Sequence, residues 1–175
     1  MIEVTIQAVN NAKVLYGLNL DRSEVESVEK IFSLTPLLQE TINNPTIPKE
    51  VKVDIIEKVF SSENISEKLV RFLQVMCKNN QANDMKAIFE QYYLYYDQMK
   101  KIIHAKLICT SSFTDAERKE ADNILKEKYA DYKVILTQEI DDTLLGGYVL
   151  KIGNHEYDKS YKERLRQLQE KITGR

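Results

Sequence analysis

At 175 residues the chain has room for one domain or two small ones. Hydrophobic residues make up 43% and charged residues 30%, with 5 Gly, 3 Pro and no Trp, which excludes a disordered tail and a low-complexity sequence. Lys and Arg number 25 against 27 Asp and Glu, so the basic excess that neutralises nucleic-acid phosphates is missing and no nucleic-acid partner is expected. The two cysteines, Cys77 and Cys109, are too few and too far apart for a disulfide framework or a zinc site. They read as buried thiols in a reducing compartment, and neither a metal nor a cofactor is expected. The opening Met1-Ile-Glu-Val-Thr-Ile-Gln lacks the basic flank and apolar run of a signal peptide. No stretch approaches the roughly 18 apolar residues of a membrane span. The expectation is a soluble protein that does not insert in a membrane and reaches one only through a partner.

Up to about His104 the apolar spacing is helical. Ile2, Ile6, Val9, Ala12 and Leu15 fall near one face of a first helix. Ser23-Glu-Val-Glu26 has the spacing of a capping box and precedes Val25, Val28, Ile31 and Phe32. A short helix over Leu37–Ile42 ends at Asn43-Asn44-Pro45, and Pro48 suits the first turn of the next, with Ile55, Ile56, Val59 and Phe60 behind it. Asn64-Ile-Ser-Glu67 offers another cap, leading to Ile65, Leu69, Phe72, Leu73 and Met76. The longest helix is predicted from about Asn83 to Ile103. Five or six helices with short connections make a bundle.

Beyond His104 the period changes. Ala105, Leu107 and Cys109 alternate as one face of a strand, and Thr114-Asp-Ala-Glu117 caps a helix carrying Ala121, Ile124, Leu125 and Tyr129. Strands over Val134–Ile140 and Tyr148–Ile152 follow. Ser160-Tyr-Lys-Glu163 opens a closing helix with Tyr161, Leu165, Leu168 and Ile172. The fold class is therefore α+β, mainly α, with a helical part over 1–104 and a small β-α-β-β-α part over 105–175. The second part is of a size at which a core alone is marginal.

Chemistry is thinly supplied. Gly146-Gly147 lacks the Lys-Ser/Thr and following helix of a phosphate loop and reads as a tight bend between strands. His155, Glu156 and Asp158 are conceivable ligands or acid–base groups, but they sit in an expected turn, where neighbours do not converge on one ion. Asp158 reads instead as a cap or turn former. Ser160 has no Gly-x-Ser-x-Gly elbow and reads as a helix cap, and Cys77 reads as core. Tyr92, Tyr93, Tyr95 and Tyr96 cover more than a full helical turn, so they cannot share one core face. They are expected to fill the space toward the second part, with an interaction surface as the other reading. The basic residues of the closing helix form a solvated face or a surface that steers an acidic partner.

The stretch Leu144-Leu-Gly-Gly-Tyr-Val-Leu-Lys-Ile-Gly-Asn-His-Glu-Tyr-Asp-Lys-Ser-Tyr-Lys-Glu-Arg-Leu-Arg-Gln-Leu168 resembles the signature of the δ subunits of rotary F-type ATP synthases, the oligomycin-sensitivity-conferring protein family. Gly146, Gly147, Gly153, Asp158, Ser160, Arg164 and Leu165 fill the signature positions in register. Asn11-Ala-Lys-Val-Leu-Tyr16 is similar to the family's first-helix Tyr-Ala-x-Ala-Leu-Phe pattern, with Asn11 for the Tyr and Val14 for the second Ala. Asn43-Asn-Pro-Thr-Ile-Pro48 resembles its Asn-Pro segment. Phe72-Leu-Gln-Val-Met-Cys-Lys-Asn-Asn80 resembles its fifth helix, with Gln81 where an Arg is usual.

The resemblance implies a non-catalytic stator subunit. Its N-terminal six-helix bundle would grip the N-terminal helix of an α subunit in a groove between the first and fifth helices. Its C-terminal region would receive the b subunits of the peripheral stalk, so that ion flow is coupled to ATP synthesis. It would lie at the cytoplasmic face of a bacterial membrane and hold no cofactor. Ala12, Leu15, Phe72 and Met76 are the candidate partner residues, while Gly146, Gly147, Asp158 and Ser160 supply bend, cap and turn. A free-standing adaptor for an amphipathic helix is the second reading. An enzyme would rest on His155, Glu156 and Asp158.

Overall fold

A computed structural model describes residues 5–60, 65–111 and 113–173. The chain divides into two compact units, residues 1–96 and 97–175. The division falls before the expected boundary at His104, because Asp97 already belongs to the second unit: its Oδ2 lies 2.9 Å from His104 Nε2.

The first unit opens with α1 (Ile6–Gly17), whose N-cap Thr5 accepts the Ala8 N–H at 3.1 Å. The stripe that α1 buries is Ala8, Ala12 and Leu15, an i, i+4, i+7 set. Ile6, expected on that stripe, is 82% exposed, and Ile2 lies outside the described residues. In α2 (Arg22–Leu34) the N-cap is Asp21, so the expected capping box at Ser23 does not form. Ser23 already sits within the first helical turn, and its carbonyl accepts the Ser27 hydroxyl at 2.9 Å. Pro36 opens α3 (Pro36–Asn43), where its missing N–H costs nothing. Asn44 Oδ1 then accepts the Thr46 N–H at 2.9 Å, setting the turn before α4 (Lys49–Phe60). Pro48 stands just ahead of α4, and its carbonyl takes the Lys52 N–H at 3.2 Å.

In α5 (Glu67–Lys78) the N-cap is Ser66, and the cap expected at Asn64 lies outside the described residues. A 3-10 turn at Ala82–Asp84 leads into α6 (Met85–Met99). The expected run of this helix to Ile103 is overturned. Lys101 takes a left-handed φ of 51°, and the β-branched Ile102-Ile103 pair enters a strand. All six helices feed one core that includes Leu15, Val28, Ile56, Phe60, Leu73 and Phe89. Phe32 stacks on Phe60 with ring centroids 5.5 Å apart.

The second unit carries β1 (Ile102–Cys109), α7 (Asp115–Lys128), β2 (Lys133–Ile140), β3 (Tyr148–Ile152), β4 (His155–Asp158) and α8 (Tyr161–Thr173). The sheet order is β2-β1-β3-β4, with β1 and β2 parallel and the other pairings antiparallel. β4 was not expected. His155–Asp158 is too polar to read as a strand, but Gly153, with φ 55°, and Asn154 form a two-residue hairpin that folds it back on β3. The second part is therefore β-α-β-β-β-α. One sheet face sets Ala105, Leu107, Cys109, Tyr148, Leu150 and Ile152 against Ala121 and Leu125 of α7. The other carries cross-strand ion pairs, Lys106 with Glu139 and Lys151 with Glu156. Thr114 and Glu117 form a full capping box at the start of α7.

Candidate interaction surfaces

The signature glycines are positioned by backbone crowding. Gly146 and Gly147 have φ of 137° and 80°, in the region that favours glycine. A Cβ on Gly146 would meet the Tyr161 ring at 2.5 Å, and one on Gly147 would meet the backbone of Lys159 and Ser160 Cα at 2.9 Å. Two hydrogen bonds hold this approach: Lys159 N–H to the Tyr148 carbonyl at 2.9 Å, and Tyr161 N–H to the Gly146 carbonyl at 3.0 Å. Asp158 Oδ1 accepts the Ser160 N–H at 2.8 Å, and buried Ser160 accepts the Glu163 N–H at 3.3 Å. The Glu163 carboxylate does not return to close a capping box. It is held by Arg166 and Gln167, which keep it down at about 2. Bend, turn and cap thus launch α8 from the sheet.

Arg164 reaches Glu120 of α7 only at 3.7 Å, and Leu165 is 61% exposed. Among the described residues α8 buries no side chain at all. The apolar stripe of this closing helix, Tyr161, Leu165, Leu168 and Ile172, is open.

The four partner candidates lie on α1 and α5, as expected, but face inward. Ala12, Leu15, Phe72 and Met76 are all buried in the core of the first unit, so they support the helices rather than present a face. Apolar side chains offered outward by the same two helices are Ile6 and Val14 on α1 and Val75 on α5. α1 is tied to the segment that follows α5 by polar contacts: Asn11 Nδ2 donates to Gln81 Oε1 at 3.1 Å, and Gln81 Nε2 donates to Gln7 Oε1 at 3.4 Å. Asn11 and Gln81 are the two departures from the family pattern singled out above, and they touch each other. The signal for this contact in the sequence is that both positions depart from the pattern together.

The tyrosines of α6 are filling within the first unit. Tyr92 is buried, while Tyr95 and Tyr96 pack edge-on to Tyr16 at 5.2 and 6.0 Å. Tyr93 donates to Glu29 at 2.7 Å under the Arg22 guanidinium, and burial with that bond raises its pKa. Burial likewise pushes the Cys77 thiol up to about 11, away from reactivity.

The residues on which an enzyme would rest do not converge. Glu156 and Asp158 alternate with His155 along β4, Glu156 is paired with Lys151 at 3.2 Å, and Asp158 is spent on the Ser160 turn. No group of His, Cys, Asp and Glu among the described residues is arranged to hold a metal ion. No described helix is long and apolar enough to cross a membrane.

The two units are dissimilar, and each carries apolar side chains that face outward as contact surfaces do. Comparison with known proteins agrees with this reading. The ATP synthase delta (OSCP) subunit family matches residues 12–172, and the chain belongs to that family, whose members are non-catalytic subunits of the ATP synthase complex. The chain is 25% identical over 178 residues to an ATP synthase subunit delta of Desulfotalea psychrophila, covering 98% of each. It is 28% identical over 152 residues to that of Desulforapulum autotrophicum, covering 86% of this chain and 82% of the other. The δ subunit of Lactobacillus gasseri is 26% identical over 168 residues, with 92% and 91% covered. A chain of the mitochondrial ATP synthase of Toxoplasma gondii shares the fold, with a TM-score of 0.57 over 97% of this chain and 98% of that one at 13% identity.

Proposed function

We propose that this chain is the stator link of an F-type ATP synthase. Its first unit grips the N-terminal helix of an α subunit, and its second receives the b subunits of the peripheral stalk. The catalytic hexamer is thereby held against the turning rotor, and ion flow is coupled to ATP synthesis. The observation that carries this reading is the family match, which runs through both units rather than one. The chain then works peripherally, at the cytoplasmic face of a bacterial membrane.

Physical chemistry supports the division of labour. A brace needs two contact surfaces and no bond-making centre. A helix docked on the α1–α5 face would bury Ile6, Val14 and Val75, all now exposed, against apolar residues at helical spacing. The six helices of the first unit, packed as a bundle, would keep that face rigid. Specific contacts of this kind bury about 1,000 Å² or more, and links acting in parallel add effective concentration. Calorimetric titration of the chain with a peptide of the cognate α subunit's N-terminal segment tests the first contact. Saturable one-to-one binding is expected, lost in a folded Val14→Asp/Val75→Asp variant. No binding at concentrations of about tens of micromolar would favour a free-standing adaptor.

A further inference from the structure

The helix α8 carries a pattern that its own unit leaves mostly open. Tyr161, Leu165, Leu168 and Ile172 follow one another at steps of four, three and four residues, the spacing of the d and a positions of a heptad seam. They are 45, 61, 55 and 84% exposed. Among the described residues the polar contacts that hold α8 to its unit, from Ser160, Tyr161 and Arg164, all lie in its first turn. An isolated helix of 13 residues is marginal in water, so the remaining turns need a second body for their stability.

Charge around the seam specifies that body. In the same register the flanking e and g positions hold Lys162, Arg164, Gln169 and Lys171, and none is acidic. Both acids of the helix, Glu163 and Glu170, fall on the far side, where Arg166 engages them at 2.7 and 2.6 Å. Two copies of α8 seam to seam would bring like charges together, which disfavours self-pairing. We infer that α8 docks as one strand of a coiled coil with a partner helix that has an apolar heptad seam and acidic flanks. This rests on the stator reading, within which the peripheral stalk supplies that helix.

The test uses the full chain and a designed amphipathic peptide with Leu at its seam and Glu at its flanks, alongside a twin with Lys flanks. The Glu peptide is expected to bind at least about tenfold more tightly than the Lys twin, and to weaken with salt. Leu165→Asp/Leu168→Asp, which leaves a solvent-facing helix and an intact core, is expected to abolish binding. The triple reversal Lys162→Glu/Arg164→Glu/Lys171→Glu is expected to invert the preference. Equal binding of both peptides, or binding that survives the Asp variant, overturns the inference. Assembly of the complete synthase with the triple-reversal variant separates the two claims. Full assembly and coupling with that variant would remove the seam and leave the stator reading standing. Failure of the unaltered chain to assemble would remove the stator reading itself.

Discussion

Helices α5 and α8 are nearly the same length, 12 and 13 residues, and both carry a regular apolar stripe, yet their fates differ. The first buries Leu69, Val70, Phe72, Leu73, Met76 and Cys77 among five other helices, and the second buries nothing. An apolar stripe thus says that a helix has a partner, not which molecule supplies it. In the first unit the partner is the chain itself. In the second, α7 packs on the apolar face of the sheet, and α8 buries none of its side chains.

The comparison breaks most visibly through large-to-small substitution. Leu73→Ala in the first core is expected to cost about 2–5 kcal/mol in urea unfolding followed by circular dichroism. In the second unit Gly147→Ala forces a Cβ into backbone at positive φ, and about 1–3 kcal/mol is expected, with loss of the α8 launch. Gly146→Ala should be milder, because the atoms met belong to the Tyr161 ring. Thr114→Ala removes the α7 cap for about 1 kcal/mol.

A pH titration sharpens the picture at α8. The Glu163 carboxyl is held at about 2 by Arg166 and Gln167, below its unfolded value near about 4.3. Its contribution is therefore fully present above about 4.3 and lost as pH falls through about 2. Carboxyl chemical shifts should report that low midpoint, and Arg166→Ala should return it toward the unfolded value. Smallest of all, Leu168→Asp should change unfolding free energy by no more than about 0.5 kcal/mol, the mark of a surface without an internal partner.

Much of this was legible in the chain. Strong stripes such as Leu69, Leu73 and Met76 placed their helices, and Thr114-x-x-Glu117 marked a true start. Ser23-x-x-Glu26 shows the same pattern and caps nothing, since Asp21 had already begun the helix. On α1 the expected stripe held Ala12 and Leu15 but took Ile6 in place of Ala8, because an alanine weighs little beside an isoleucine. Strand β4 escaped because hairpin geometry, not apolar alternation, makes it a strand. Gly146, Gly147, Asp158 and Ser160 were expected as bend, cap and turn, and they stand at a positive-φ bend, an Asx turn and a helix start. An apolar residue on a suitable helix is as often core as surface, and burial alone separates Met76 from Val75.

The central claim, that one unit holds the hexamer while the other holds the stalk, is tested most directly by ATP-driven proton pumping in membranes whose synthase lacks this subunit. Pumping is expected to be lost while the detached hexamer still hydrolyses ATP, and adding back the full chain is expected to restore it. Pumping that persists undiminished without the chain would contradict the claim.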